Sequence, residues 1–180
     1  KYFLNKKINV FCEKPLTENY TQSKKLISLA KKKKCKIFIS EVEIFKNKKI
    51  HNFFKFEIER KKFEKLKKKD SSILFRLAYH DIYLLYQKLK NEKIKKIIFR
   101  ETLNNLYLKI KGLKKQYNFN YNLASKKKAH SINNIDLLSF SGNPFQKMIR
   151  KVIQERINFK KNNERALFCN YLIDKIKKKP

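Results

Sequence analysis

The sequence predicts an α/β segment followed by a larger α+β body, in which the end of a parallel sheet joins an open-faced, mainly antiparallel sheet with helices on one face. Three observations predict it. Residues 8–40 read strand, helix, strand, the order of a βαβ crossover that leaves its two strands parallel. Residues 94–138 fall into short stretches, several of them alternating apolar and polar, which suits antiparallel pairing with one wet face. Between and after these lie apolar stripes at helical spacing. The division falls near residue 43, giving a first unit of residues 1–43 and a second of residues 44–180.

Each element has a local cause. Ile8–Cys12 form the first strand, and Glu13-Lys14-Pro15 ends it, because proline lacks an amide donor and drives Lys14 out of the helical region. Asn19 caps the next helix, with Gln22 at the capping-box spacing. Tyr20, Ser23, Ile27 and Ala30 fall on its inner face, and Lys31–Lys34 end it. Ile37, Phe38 and Ile39 build the second strand. A helix is expected from Glu41 to about Arg60, then a lysine-rich connection to Asp70. Ala78, Ile82, Leu85 and Leu89 step by four, three and four, as on a buried helix face. Strands follow over Ile94–Glu101, Leu103–Lys111, Gln116–Leu123 and Ala129–Leu138, with a turn at Gly112. In the third of these, Tyr117, Phe119, Tyr121 and Leu123 alternate with asparagines. Asn143-Pro144 opens a helix reaching Glu155, and Asn163 opens another from Glu164 to Lys178.

Composition narrows the function classes. With 47 basic against 15 acidic residues the net charge is +32, which by itself suggests a polyanion. Only six of the basic residues are arginines, however, and guanidinium is the group suited to base-edge and bidentate phosphate recognition. Lys, Asn, Ile, Phe and Tyr, all encoded by A- and T-rich codons, make up more than half the chain, and the lysine runs are spread along it. Nucleic acid is therefore not the expected partner. A basic RNA- or ribosome-associated module, stacking bases on Tyr117, Phe119 and Tyr121, is the alternative. No apolar run approaches the ~18 residues of a membrane span. The two glycines, Gly112 and Gly142, exclude any glycine-rich phosphate loop. Cys12, Cys35 and Cys169, with His51, His80 and His130 scattered, give no metal-ligand spacing and read as free thiols in a reducing cytoplasm.

Two segments carry a resemblance. Asn9-Val-Phe-Cys-Glu13-Lys14-Pro15-Leu-Thr17, followed by a helix and an apolar strand, resembles the glucose–fructose oxidoreductase/inositol dehydrogenase/MocA (Gfo/Idh/MocA) family, which has a Glu-Lys-Pro turn at the end of a Rossmann strand. Leu77-Ala-Tyr-His80-Asp81-Ile-Tyr-Leu-Leu85 is similar to that family's His-Asp-Ile helix start, and the strand-rich stretch after it is similar to the family's open-faced sheet. The resemblance implies the C-terminal part of a Rossmann-type parallel sheet and an NAD- or NADP-dependent oxidoreductase acting on a hydroxyl of a sugar, inositol or nucleotide sugar. It implies Lys14 and His80 as catalytic, Glu13, Lys14 and Pro15 beside the cofactor, and Lys14, Arg76 and His80 on the substrate. A homo-oligomer formed through the open sheet face is also implied. The roles are chemically coherent, since imidazole exchanges protons near neutrality and an ammonium stabilises developing alkoxide charge. Asp81 reads as a favourable charge at a helix N-terminus.

Two departures from the family pattern carry expectations of their own. Arg76 stands where the family has an aspartate, four residues before the histidine, and on a helix it would share a face with His80. The site is then either degenerate or suited to an anionic substrate gripped by Arg76. The family's first βαβ unit, with its GxGxxG loop, has no counterpart in the 180 residues, and residue 1 is lysine, not methionine. The expectation is an N-terminally incomplete member whose cofactor site is incomplete within this chain.

Overall fold

A computed structural model describes residues 1–46, 48–64 and 72–178. A one-turn helix, α1 (Tyr2–Asn5), precedes β1 (Val10–Cys12), α2 (Tyr20–Lys32) and β2 (Ile37–Ile39). The two strands pair in parallel, Val10 opposite Ile37 and Cys12 opposite Ile39, as the crossover pattern requires. The cap expected at Asn19 is formed: its side-chain oxygen accepts the Gln22 N–H at 2.9 Å. β2 is buried at all three positions, consistent with a strand covered on both faces.

Residues 41–60 do not form the expected helix. A short 3₁₀ turn (Val42–Lys46) leads to β3 (Lys55–Phe63). The deciding pattern has period two: Phe56 and Ile58 are fully buried, while Glu57 and Glu59 lie on the opposite face. β3 is flanked by strands on both sides, parallel to β6 and antiparallel to β7, and such pairing outweighs local propensity. Most of the lysine-rich connection expected up to Asp70 lies outside the described residues.

The second sheet runs β4-β5-β6-β3-β7-β8, formed by Lys96–Glu101, Asn105–Lys111, Gln116–Asn122, Lys55–Phe63, Ala124–Ile132 and Ile135–Asp136. The fourth predicted strand is therefore longer at its start and is broken by a turn at Asn133, which has φ of +52°. The inner face packs on a π-helical turn (Leu74–Ala78), α3 (Tyr79–Leu84) and α4 (Tyr86–Leu89). Tyr117, Phe119 and Tyr121 face this core, and Phe56 stacks on Tyr117 at 4.9 Å between ring centroids. Those three rings are buried and offer no surface on which a base could stack. The outer face presents polar cross-strand rows such as Tyr107, Asn120, Glu59 and Ser131.

Two helices close the chain, α5 (Pro144–Ile153) and α6 (Phe159–Lys177). Asn143 caps α5 as expected. The last helix begins earlier than expected, since Asn158, not Asn163, accepts the capping bond from the Lys161 N–H at 2.8 Å. Asn162, inside the helix, is spent on tertiary contacts.

Candidate active site

α6 holds the two sheets' functional ends in place. Its Asn162 acts as a one-residue strand: the side-chain oxygen accepts the Ile39 N–H at 2.9 Å, and the amide nitrogen donates to the Ile39 carbonyl at 2.9 Å and to the Tyr83 hydroxyl at 2.7 Å. Further along, Asn170 donates to the Thr17 carbonyl at 2.9 Å, and Asp174 accepts the Tyr20 N–H at 2.9 Å. These contacts fix the carboxyl ends of β1 and β2 against α3. Carboxyl ends of strands are where α/β sheets place ligands.

Lys14 emerges there, on the Glu13-Lys14-Pro15 turn, whose Lys14–Pro15 bond is cis. Its ammonium donates to the carbonyls of Phe75, at 3.0 Å, and Arg76, at 2.6 Å, both in the π-helical turn. π-helical turns of this kind recur at functional sites. Burial lowers the Lys14 pKa to about 8, a shift opposed by the nearby Glu41 carboxylate. Beside Lys14 opens a cleft of about 450 Å³ whose walls include Pro15, Glu18, Ser72, Phe75, Arg76 and Lys177.

His80 does not line that cleft. Its Nδ1 lies 2.8 Å and 3.1 Å from the two carboxylate oxygens of Glu41, a fully buried acid two residues beyond the end of β2. The imidazole side chain is 22% exposed, and Nε2 has no hydrogen-bond partner among the described residues. Lys14 and His80 are thus linked through Glu41, which bonds one and acts electrostatically on the other. The Arg76 guanidinium is ion-paired with Glu64, and its Nη1 is buried without a partner among the described residues. Glu13 is exposed on the turn and acts on Lys14 only through its charge.

Behind His80 lies a second polar cluster. Asp81 is not a simple helix-start charge. It is fully buried and accepts two bonds from Arg60, at 2.9 and 3.1 Å, one from His130 Nε2 at 2.8 Å and one from the Tyr121 hydroxyl. Burial alone would raise its pKa, but the Arg60 guanidinium and His130 outweigh that and hold the carboxyl well below the usual range. Arg60 also reaches Glu43 at 3.5 Å. This cluster ties β3, β6 and β7 to α3 and so sets the helix that carries His80. Cys12, Cys35 and Cys169 are free, as expected, and burial pushes the Cys12 thiol up to about 11. No group of metal-ligating side chains occurs among the described residues.

Sequence reasoning singled out Lys14, His80 and Arg76 and passed over Glu41, the acid that the fold brings to His80. The available signal was an acid two residues after the apolar run Ile37–Ile39, at the sheet's ligand-binding end.

Comparison with known proteins bears on the identity of this site. A model of the Gfo/Idh/MocA oxidoreductase family, NAD-binding Rossmann fold, matches residues 1–41. A search of curated proteins found none that matches the sequence. Among solved structures, UDP-N-acetylglucosamine 3-dehydrogenase GnnA from Acidithiobacillus ferrooxidans is similar over 96% of this chain and 72% of its own, with a TM-score of 0.72 and 12% identity. The WlbA (WbpB) dehydrogenase from Thermus thermophilus, solved with NAD and alpha-ketoglutarate, is similar over 98% of this chain and 67% of its own, at a TM-score of 0.72 and 9% identity. The dehydrogenase MviM from Clostridium difficile is similar over 97% and 72%, at 0.70 and 19%. At these identities the likeness to solved structures concerns the fold.

NAD(P) is the cofactor of this family, and the residues present fit only one end of it. The Glu13-Lys14-Pro15 turn stands at the carboxyl end of β1, where α/β sheets place ligands. The pyrophosphate side needs a glycine-rich turn at a helix N-terminus, whereas Gly112 lies in the β5–β6 turn and Gly142 before α5. Residues 1–41 thus match the Gfo/Idh/MocA oxidoreductase family in sequence, and nearly the whole chain shares its fold with dehydrogenases such as GnnA and MviM.

Proposed function

We propose that this oxidoreductase acts on a hydroxyl or carbonyl of a sugar, inositol or nucleotide sugar, with Lys14 and His80 at the reacting carbon. The single observation that carries the reading is the linkage of Lys14 and His80 through Glu41 at the carboxyl ends of β1 and β2. The names of the similar structures, which include a UDP-N-acetylglucosamine dehydrogenase, support a sugar-type substrate. Lys14 has two of its three ammonium protons committed to backbone carbonyls, which leaves one for the substrate oxygen. That proton and its charge stabilise developing alkoxide. His80 takes or returns the hydroxyl proton through Nε2. NAD(P), when bound, supplies or receives the hydride. Glu13 and Pro15 flank the cofactor side of Lys14. Arg76, with its unpartnered Nη1 in the cleft wall, favours a substrate bearing a carboxylate or phosphate. In this reading residues 1–43 contribute to the cofactor domain and residues 44–180 to the substrate domain, whose outer sheet face pairs subunits.

The experiment is a binding screen by NMR on the labelled chain, using hexoses, inositols, uronates and UDP-sugars, followed by assays for nicotinamide reduction with NAD and NADP. The expected result is saturable perturbation of Lys14 and His80 signals by at least one UDP-sugar or uronate, reduced tenfold or more in affinity by Lys14→Met. A panel in which no sugar perturbs either residue overturns the assignment.

A further inference from the structure

In the proposed reaction Glu41 neither touches the substrate nor exchanges a proton with it. Glu41 is fully buried, yet its carboxylate spans the imidazole of His80, with Oε1 at 2.8 Å and Oε2 at 3.1 Å from Nδ1. A buried carboxylate is costly unless it is paired and hydrogen-bonded, and here the pairing is with a ring whose other nitrogen is open. A positive charge and a backbone donor stand beside the acid. The Lys14 ammonium lies close enough to act on it, and the Glu43 N–H reaches Oε1 at 3.3 Å. An ionised carboxylate only accepts, so the proton between the two groups belongs to the ring.

We infer that Glu41 is the positioning residue for His80, fixing the neutral imidazole as the Nδ1–H tautomer and leaving the Nε2 lone pair as the proton acceptor of the site. The assignment deepens the proposed function and rests on His80 being the acid/base there. Position 76, one turn before His80, offers no carboxylate, since its guanidinium is engaged by Glu64. The orienting acid comes instead from the end of β2, where Asn162 clamps Ile39 and simultaneously holds Tyr83, three residues beyond His80. Donor and acceptor are thereby referenced to one side chain of α6. Orientation by a buried acid of this kind matters because a ring in the wrong tautomer presents a donor where an acceptor is needed.

The test reads the tautomer directly. Nitrogen-15 shifts of the His80 ring are recorded on the intact chain at a pH where the ring is neutral, with His80→Gln used to assign the signals. The wild-type chain is expected to show the Nδ1–H form. Glu41→Gln, whose amide oxygen still accepts, is expected to retain it, whereas Glu41→Ala is expected to release the ring to the Nε2–H form. Where turnover is measurable, Glu41→Ala should lower kcat by roughly 10²–10⁴-fold with KM little changed. A wild-type ring protonated on Nε2 overturns the inference, and that measurement needs no variant to fold. An unchanged tautomer in a folded Glu41→Ala chain also overturns it. Failure of the sugar-substrate reading would leave the tautomer result standing, because no substrate enters the measurement.

Discussion

Lys14 illustrates how burial and charge compete at one residue. Desolvation dominates and brings its pKa down from 10.5 to about 8, while Glu41 pulls in the opposite direction. The ammonium therefore carries its charge at pH 7 and loses it as pH rises through about 8. Between about 8 and 10.5 the unfolded chain binds the extra proton, so this residue makes the fold more stable as pH climbs through that window. Function should move in the opposite sense: substrate binding or turnover is expected to fall above pH 8. In Lys14→Arg, which stays charged, that alkaline limb should shift upward. A pH profile of the two proteins checks this, and an unmoved limb removes Lys14 as its source. Arg76 allows a second prediction at this scale. Arg76→Asp is expected not to raise activity, since Nδ1 of His80 already has Glu41, and it places a negative charge beside Glu64. A stability loss of about 1–3 kcal/mol should be seen in thermal melts. Lys14 and His80 were conspicuous in the sequence because each lies in a short contiguous motif. Glu41 was not, because its partner is 39 positions away and only the fold brings them together.

Elements were legible where one face is wet or one cap is local. The βαβ crossover, the Asn19 and Asn143 caps and the alternating strand Gln116–Asn122 all follow from spacing alone. The misread segment, β3, is flanked by strands on both sides and carries charged residues on its outer face, so its charges resembled a solvated helix. The α6 start was misplaced for a related reason: three asparagines lie within six positions, and which one caps depends on Asn162 being drawn to β2. β3 also supplies Arg60, which makes the Asp81 cluster a test of how the elements are held. Replacing Asp81 by Asn leaves the buried Arg60 with only Glu43, at 3.5 Å, as a counter-charge, and removing one partner of a buried pair costs about 3–5 kcal/mol. Asp81 has a depressed folded pKa, so its stabilisation is present above the unfolded value near 3.8 and is lost as pH falls below it. Urea unfolding at pH 7 and at pH 3 should therefore show a large gap between the wild type and Asp81→Asn at the higher pH and a smaller one at the lower.

At the scale of the whole molecule the dominant fact is charge. A net +32 on 180 residues is a large excess of like charge, which repels itself in the compact state. The exposed ion pairs, such as Lys55 with Glu57 at 2.5 Å and Lys61 with Glu59 at 2.7 Å, are individually worth about 0–1 kcal/mol. Salt weakens those pairs, but it also weakens the far more numerous lysine–lysine repulsions, and the second effect wins when like charges outnumber opposite ones by three to one. The Debye length shortens from about 30 Å at 0.01 M to about 8 Å at 0.15 M, so repulsion between exposed charges further apart than that is largely screened at the higher salt. The buried contacts of Asp81 and Glu41 are screened much less. Raising sodium chloride from 10 mM to 150 mM is therefore expected to increase Tm by several degrees, with most of the gain complete by the higher concentration. Differential scanning calorimetry measures it. A flat or falling Tm would mean that the native ion pairs, and not the excess of lysines, govern stability.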